Sequence, residues 1–479
     1  MAHCVSLHQA TGCASSVRDI VGVPSLNFCP ARHAVSLSPA RRSRKQSFVF
    51  LKSERVSAGP SSCRSRTSIR CSSHEEGEAQ LNVEESDEFE RSFQPYGIPE
   101  MTMPDRWDVV GLGQAMVIYS NSPLLVDLPQ VDFSGIVEDG FLQGLGLVKG
   151  TRKVVNHEER GNCIRALDGR NYKVTAGGSL SNTLVALARL GAGYNDEPSL
   201  NVAMTGSVGS DALGDFYRTK LKRANVHFLS EPIPNGTTGT VIVLTTPDAQ
   251  RTMLSYQGMS SLINYDEALE EQIASSKILV VEGYLWELSE TVESIAKACQ
   301  SAREKGILVA LTASDISCVK RHREKMWKVM SESADMIFCN SDEARALLNG
   351  DGNMSPAMAA EILSKFCHLV SVTDGARGSY IGLKGEVSYV QPAPCVPVDT
   401  CGAGDAYAAG VLYGILRGIP HLKGIGNLAA RVASVVVGQQ GTRLREEDAK
   451  ELSSSVPTFA CMPVGLINLT AHEEQSVNA

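Results

Sequence analysis

Val398-Asp399-Thr400-Cys401-Gly402-Ala403-Gly404-Asp405-Ala406-Tyr407-Ala408-Ala409-Gly410 runs from an extended segment through a glycine turn into a helix of small residues. Two glycines let the backbone approach an anion closely, and the N–H groups of Gly402, Ala403 and Gly404 point out of the helix N-terminus toward it. The stretch therefore reads as a phosphate-sized anion hole with a carboxylate, Asp405, beside it. Such a carboxylate is useful where a group loses a proton while charge develops on a neighbouring phosphoryl group, as in phosphoryl transfer to an alcohol. The competing reading makes Asp405 a plain helix cap, and a second motif far upstream weighs against it.

Outward from this stretch, short β-branched runs alternate with amphipathic segments. Residues 107–113, 200–208, 278–283, 308–313, 336–340 and 369–373 read as strands; residues 181–190, 211–224, 289–305 and 355–366 read as helices. Alternation of this kind predicts βαβ units and an α/β fold with a doubly wound, mostly parallel sheet. Residues 236–250 differ, with Thr-Thr-Gly-Thr-Val-Ile-Val-Leu-Thr-Thr leading into the turn at Pro247-Asp248. They predict a small antiparallel β sheet, either a lid that covers a ligand and excludes water or an ordinary extension of the main sheet.

The upstream motif is Ala176-Gly177-Gly178-Ser179-Leu180-Ser181-Asn182-Thr183-Leu184-Val185-Ala186-Leu187-Ala188-Arg189-Leu190-Gly191. With residues 399–405 matching D-T-x-G-A-G-D, the chain resembles the ribokinase/pfkB carbohydrate-kinase family. The length of the segment 141–167, taken as largely helical, resembles the adenosine-kinase-like branch. The resemblance implies ATP as donor and Mg2+ as metal, with Asp405 as catalytic base and Gly402, Ala403 and Gly404 as the phosphate-binding turn. It assigns acceptor hydroxyls to Gly178 and Asn182. Asn340-Ser341-Asp342-Glu343 fits the family's N-x-x-E element, which makes Asn340 and Glu343 water-mediated holders of the metal. Thr373-Asp374-Gly375-Ala376-Arg377-Gly378 fits the nucleotide-side loop, which implicates Thr373, Gly375 and Gly378. A monovalent cation near Asp399, and a homodimer formed through the lid, are further expectations of the resemblance.

One departure stands out. Gly113-Gln114-Ala115-Met116-Val117 is followed by Ile118 where the family has an aspartate that grips two substrate hydroxyls. The pattern resumes at Asp132-Phe133-Ser134-Gly135, so residues 118–131 read as an insertion and Asp132 as the displaced ligand, with Asp127 the alternative.

Charge divides the chain. Residues 1–70 carry eleven Lys and Arg but only two acids, Asp19 and Glu54, together with 14 serines. That is transit-peptide composition, of the plastid kind. Residues 71–104 read as an acidic, disordered linker, 105–452 as the kinase domain with its lid segments, and 453–479 as a tail. Beyond residue 70 the chain carries 34 basic against 51 acidic residues, a net of −17 that argues against a nucleic-acid groove, and no apolar run approaches the length of a membrane span. The thirteen cysteines include no C-x-x-C pair, so neither a zinc site nor a disulfide framework is indicated. Gly144-Leu145-Gly146-Leu147-Val148-Lys149-Gly150 is not a dinucleotide fingerprint, and no G-x-x-x-x-G-K-[ST] occurs. Two functions fit: a plastid kinase acting on a sugar or nucleoside hydroxyl, and a weakly active or inactive kinase-fold protein supporting plastid gene expression or photosynthetic-protein accumulation.

Overall fold

The computed structural model describes residues 101–120, 137–167, 170, 172–194, 197–248, 250–263, 265–288 and 291–456. The segment 1–70, nearly all of the linker, Asp127, Asp132 and the tail beyond 456 lie outside them.

Fourteen strands are distributed over two sheets among these residues. They are β1 (Trp107–Leu112), β2 (Met116–Ser120), β3 (Arg152–Val154), β4 (Lys173–Gly177), β5 (Val202–Thr205), β6 (Val226–Phe228), β7 (Gly239–Thr245), β8 (Arg251–Tyr256), β9 (Ser276–Val281), β10 (Leu308–Thr312), β11 (Met336–Asn340), β12 (Leu369–Thr373), β13 (Ser379–Leu383) and β14 (Glu386–Val390). The nine-stranded sheet has the order β14-β13-β12-β11-β10-β9-β1-β5-β6. It is parallel from β6 to β12 and antiparallel through the β12-β13-β14 edge.

The central strands are apolar at successive positions because the sheet is covered on both faces. Along β9, Ile278 and Val280 face one core while Leu279 and Val281 face the other; β10 repeats this with Ala310 against Val309 and Leu311. Both signature helices, Ser179–Leu190 and Ala403–Leu416, pack into the first core. The second core is filled largely from the helices Val292–Glu304, Ile316–Ser333 and Pro356–Leu363.

The smaller sheet, β3-β8-β7-β2-β4, contains the predicted lid strand and extends well beyond it. Its β7/β8 and β2/β4 pairings are antiparallel, and β2/β7 and β3/β8 are parallel. One face is buried under the helix His157–Ala166 and its neighbours, with Val117, Tyr119, Ile242 and Leu254 in the first core. On the other face Ile118, Val241, Val243 and Met253 remain half-buried.

Three expectations need correction. The segment 141–167 is not one helix: Asp139–Gly144 and His157–Ala166 are separated by β3, and Gly146 and Gly150 adopt φ values of +66° and +73° that end helical propagation. The expected insertion 118–131 is, at its start, part of β2. Ile118, Tyr119 and Ser120 pair in unbroken register with Thr175, Val174 and Lys173 on β4, and with Val241, Ile242 and Val243 on β7. The strand simply carries isoleucine at that position. Similarly, the tail starts after the helix Glu446–Ser454 rather than at 453.

Gly111 on β1 lies beneath the Ser179–Leu190 helix, where a Cβ would stand 2.6 Å from Leu184 Cδ1 and 3.0 Å from Leu180 Cδ2. Gly111→Ala should therefore lower the unfolding free energy by about 1–3 kcal/mol through overpacking, read from urea denaturation. A variant with the wild-type midpoint would show that the helix is not seated on β1 at this depth.

Candidate active site

Strand β1 lies between β9 and β5, where successive strands depart to opposite sides, and a crevice opens at the carboxyl ends of the strands around such a switch point. Beyond the end of β1, Gln114 N donates to Glu282 Oε2 at 2.6 Å, and Leu180 N donates to Glu282 Oε1 at 3.2 Å. Glu282 follows β9 directly and is 1% exposed, so one buried carboxylate ties the exit of β1 to the first turn of the Ser179–Leu190 helix. Burial pushes this carboxyl up to about 7, against the lowering effect of the backbone N–H groups.

Gly178 precedes that helix at φ +96°, and a Cβ there would lie 2.7 Å from the Gln114 carbonyl oxygen, so only glycine fits. The opposite motif turns at Gly402, φ +80°, into the helix Ala403–Leu416. The first-turn amides of that helix have no intrahelical partner, and a Cβ on Gly404 would meet nothing within 4 Å, so the turn faces open space.

The two motifs meet at Asp405. Ser179 Oγ donates to Asp405 Oδ1 at 2.6 Å, and Asn182 Nδ2 donates to Oδ2 at 2.9 Å. Burial raises this carboxyl to about 6 from its ordinary 3.8, partly offset by those two hydrogen bonds. Asp405 is therefore held by neighbouring side chains rather than by the backbone of its own helix, unlike an ordinary N-cap such as Asp211 or Asp266.

The other expected residues lie at the ends of β11 and β12. Asn340 and Thr373 are register partners, and Ser341 Oγ donates to Asp374 Oδ1 at 2.9 Å. Asn340 and Glu343 form a capping box: Asn340 Oδ1 accepts from the Asp342 and Glu343 amides, and Glu343 Oε2 accepts from the Asn340 amide. Burial pushes the Glu343 carboxyl up to about 7. Gly375, φ +57°, opens the 3-10 turn that leads to Gly378, φ +98°. No group of three metal-ligating side chains occurs among the described residues.

Three contributors carried no motif. Arg251 on β8 donates from Nη2 to Asp399 Oδ1 at 3.0 Å and from Nη1 to Cys401 Sγ, so the lid sheet reaches the anion turn. Asp399 also accepts from the Cys401 amide at 3.0 Å, and its carboxyl stays below the usual range despite partial burial. Burial lifts the Cys401 thiol above its ordinary value, in keeping with a small packing residue. Glu282 could have been suspected as an acid directly after the apolar run Ile-Leu-Val-Val. Thr442, which donates to Asn182 Oδ1 at 3.2 Å, had no local signal.

A glycine turn at a helix N-terminus, a partly buried carboxylate beside it and a second glycine-led helix facing it define a small-molecule phosphotransferase of the α/β class. The comparisons agree. Residues 157–449 match the model of the pfkB family carbohydrate kinases. The 5-dehydro-2-deoxygluconokinase of Listeria monocytogenes is 23% identical over 290 residues, 58% of this chain and 86% of that protein. Among solved structures, the adenosine kinase of Sinorhizobium meliloti superposes with a TM-score of 0.61 at 28% identity, covering 74% of this chain and 99% of that one. A probable sugar kinase of Rhizobium etli gives 0.62 at 26%, covering 74% and 100%. The chain belongs to the pfkB family of carbohydrate kinases. Its relatives are phosphotransferases with an alcohol acceptor, and membership implies use of ATP with a divalent metal.

Because the folded pKa of Asp405 lies above its ordinary value, the folded state binds this proton more tightly than the unfolded chain does. The stability it contributes is complete below about pH 4 and is lost as pH rises through about 6. Between those values the unfolding free energy of Asp405→Asn should gain on that of the wild type in urea titrations. Parallel curves would show that the carboxyl is not desolvated.

Proposed function

We propose that the chain transfers the γ-phosphoryl group of ATP to a hydroxyl of a sugar or nucleoside inside the plastid. The observation that carries the reading is the Asp405 carboxylate, held by Ser179 and Asn182 beside the Gly402 turn. With the γ-phosphate on the amides of Gly402, Ala403 and Gly404, an acceptor hydroxyl resting against Gly178 and Asn182 lies next to the base. Asp405 takes the hydroxyl proton, the acceptor oxygen bonds to phosphorus, and the bond to the β-phosphate oxygen breaks to leave ADP. A carboxyl titrating near 6 is ionised at neutral pH, yet basic enough to accept that proton.

Arg251 contributes positive charge from the lid and pairs with Asp399, near which the resemblance implies a monovalent cation. A divalent cation, when bound, supplies neutralisation of phosphate charge. Asn340 Oδ1 and Glu343 Oε2 are engaged in the capping box, and these two residues would hold the cation through water. Thr373, Gly375 and Gly378 border the nucleotide side.

One observation favours the regulatory reading. Ile118 occupies the acceptor strand where the family places its hydroxyl-gripping aspartate, and its Cδ1 lies 2.1 Å from where a Cβ on Gly177 would be. Without that grip the acceptor loses a charge-assisted hydrogen bond. A panel that includes 5-dehydro-2-deoxygluconate and adenosine, assayed with ATP and magnesium, separates the two readings. The kinase reading requires turnover with at least one acceptor, and a fall of roughly 10²- to 10⁴-fold in Asp405→Asn with ATP binding retained. Equal turnover in the variant would remove Asp405 from the reaction.

The plastid assignment rests on the basic, serine-rich composition of residues 1–70. That segment, fused to a fluorescent reporter, should direct it to plastids; a cytosolic reporter would overturn the localisation.

A further inference from the structure

Asp405 accepts from Asn182 Nδ2, and Asn182 Oδ1 in turn accepts from Thr442 Oγ1 at 3.2 Å. Asn182 is 5% exposed, so both ends of its carboxamide need partners inside the protein. An ionised carboxylate offers no donor, and the amide must therefore turn its NH2 group toward Asp405 and its carbonyl oxygen away from it. Thr442 supplies the donor that this orientation requires.

The position of Thr442 is set by the same turn that would seat phosphate. Gly402 has no side chain, and a Cβ there would fall 2.8 Å from both the Thr442 Cβ and its carbonyl oxygen, so the loop packs directly on the turn. Gln439 Nε2 tightens that loop by donating to the Arg443 carbonyl at 2.6 Å. On the other side of the carboxylate, Ser179 Oγ donates to Oδ1. Buried Glu282 lies behind the Ser179–Leu190 helix, where it accepts from the Leu180 amide, and burial pushes its own carboxyl up to about 7.

We infer that Thr442 is a positioning residue for the base, acting through Asn182 to favour the ionised form of Asp405. The inference rests on Asp405 being the base only for its catalytic consequence; the hydrogen-bond relay itself does not depend on turnover. If the Thr442 hydroxyl is removed, Asn182 can donate to the carboxylate only by leaving its own carbonyl oxygen buried and unpaired. The penalty falls on the charged state alone, so the carboxyl becomes harder to ionise.

The test follows the Asp405 carboxyl directly, in the full-length chain labelled with carboxyl-13C aspartate, the resonance being identified by its absence in Asp405→Asn. In Thr442→Val the titration midpoint should move up by roughly half to one pH unit, the equivalent of one neutral hydrogen bond. Thr442→Ser, which keeps the hydroxyl, should return it to the wild-type value. The acid limb of kcat/KM should follow the same order. An unchanged midpoint in Thr442→Val, or equal shifts in Val and Ser, would overturn the relay. Should Thr442→Val fail to fold, Thr442→Ala against Thr442→Ser supplies the same contrast. A shifted midpoint in a chain without turnover would sink the kinase reading and leave the relay standing; turnover sensitive to Asp405→Asn with no shift would do the reverse.

Discussion

Two hydrogen bonds to one carboxylate, from Ser179 and Asn182 to Asp405, join segments more than 220 residues apart in sequence. Everything near the crevice is arranged to make that junction possible. The Ser179–Leu190 helix can approach β1 because Gly111 and Gly113 have no side chains: a Cβ on Gly113 would lie 2.6 Å from Leu180 Cδ2 and 2.8 Å from Glu282 Oε2. The Ala403–Leu416 helix is fixed from behind by the Tyr407 hydroxyl, 2.7 Å from that of Ser379 on β13. Burial that would otherwise penalise the charged carboxylate is moderated by donors aimed at both of its oxygens.

The second sheet is continuous with this arrangement. Strand β2 leaves β1 only three residues after Leu112, and β4 leads directly into the Gly178 turn, so the lid shares its roots with the first signature helix. Arg160 reinforces the covered face, with its Nε donating to Thr240 Oγ1 at 2.9 Å and its guanidinium 5.2 Å from the Tyr256 ring. At the far edge, the Arg152 guanidinium stands 4.5 Å from the Tyr284 ring and Arg251 pairs with Asp399. Both contacts cross to loops at the carboxyl end of the main sheet.

Much of this was legible before any coordinates, for a physical reason. Strands such as 336–340 and 369–373 coincide with β11 and β12 because a two-sided burial demands unbroken apolar runs, and the glycine motifs announce positive φ or close approach. Gly144, Gly146 and Gly150 are equally visible in the sequence, and the positive φ of Gly146 and Gly150 divides a segment 141–167 whose composition otherwise favours helix. An aspartate missing from its place looks the same in one dimension as an aspartate moved downstream; the pairing with β4 and β7 shows that Ile118 is strand, and Asp132 lies outside the described residues. Glu282, Arg251 and Thr442 act on partners that lie 102 to 260 residues away, and local pattern holds no trace of that.

The main sheet separates two apolar cores that share a backbone and little else. Both signature helices and much of the lid belong to one; the other is enclosed by helices on the sheet's far side. Inherited variation in such a chain should divide accordingly. A lesion at Ile295 or Val319 would reduce how much protein a cell accumulates, with the surviving molecules kinetically normal, whereas one at Leu180 or Ala409 would leave less capable molecules at any abundance. Two lesions with equal loss of flux would then differ in whether a chaperone could restore it.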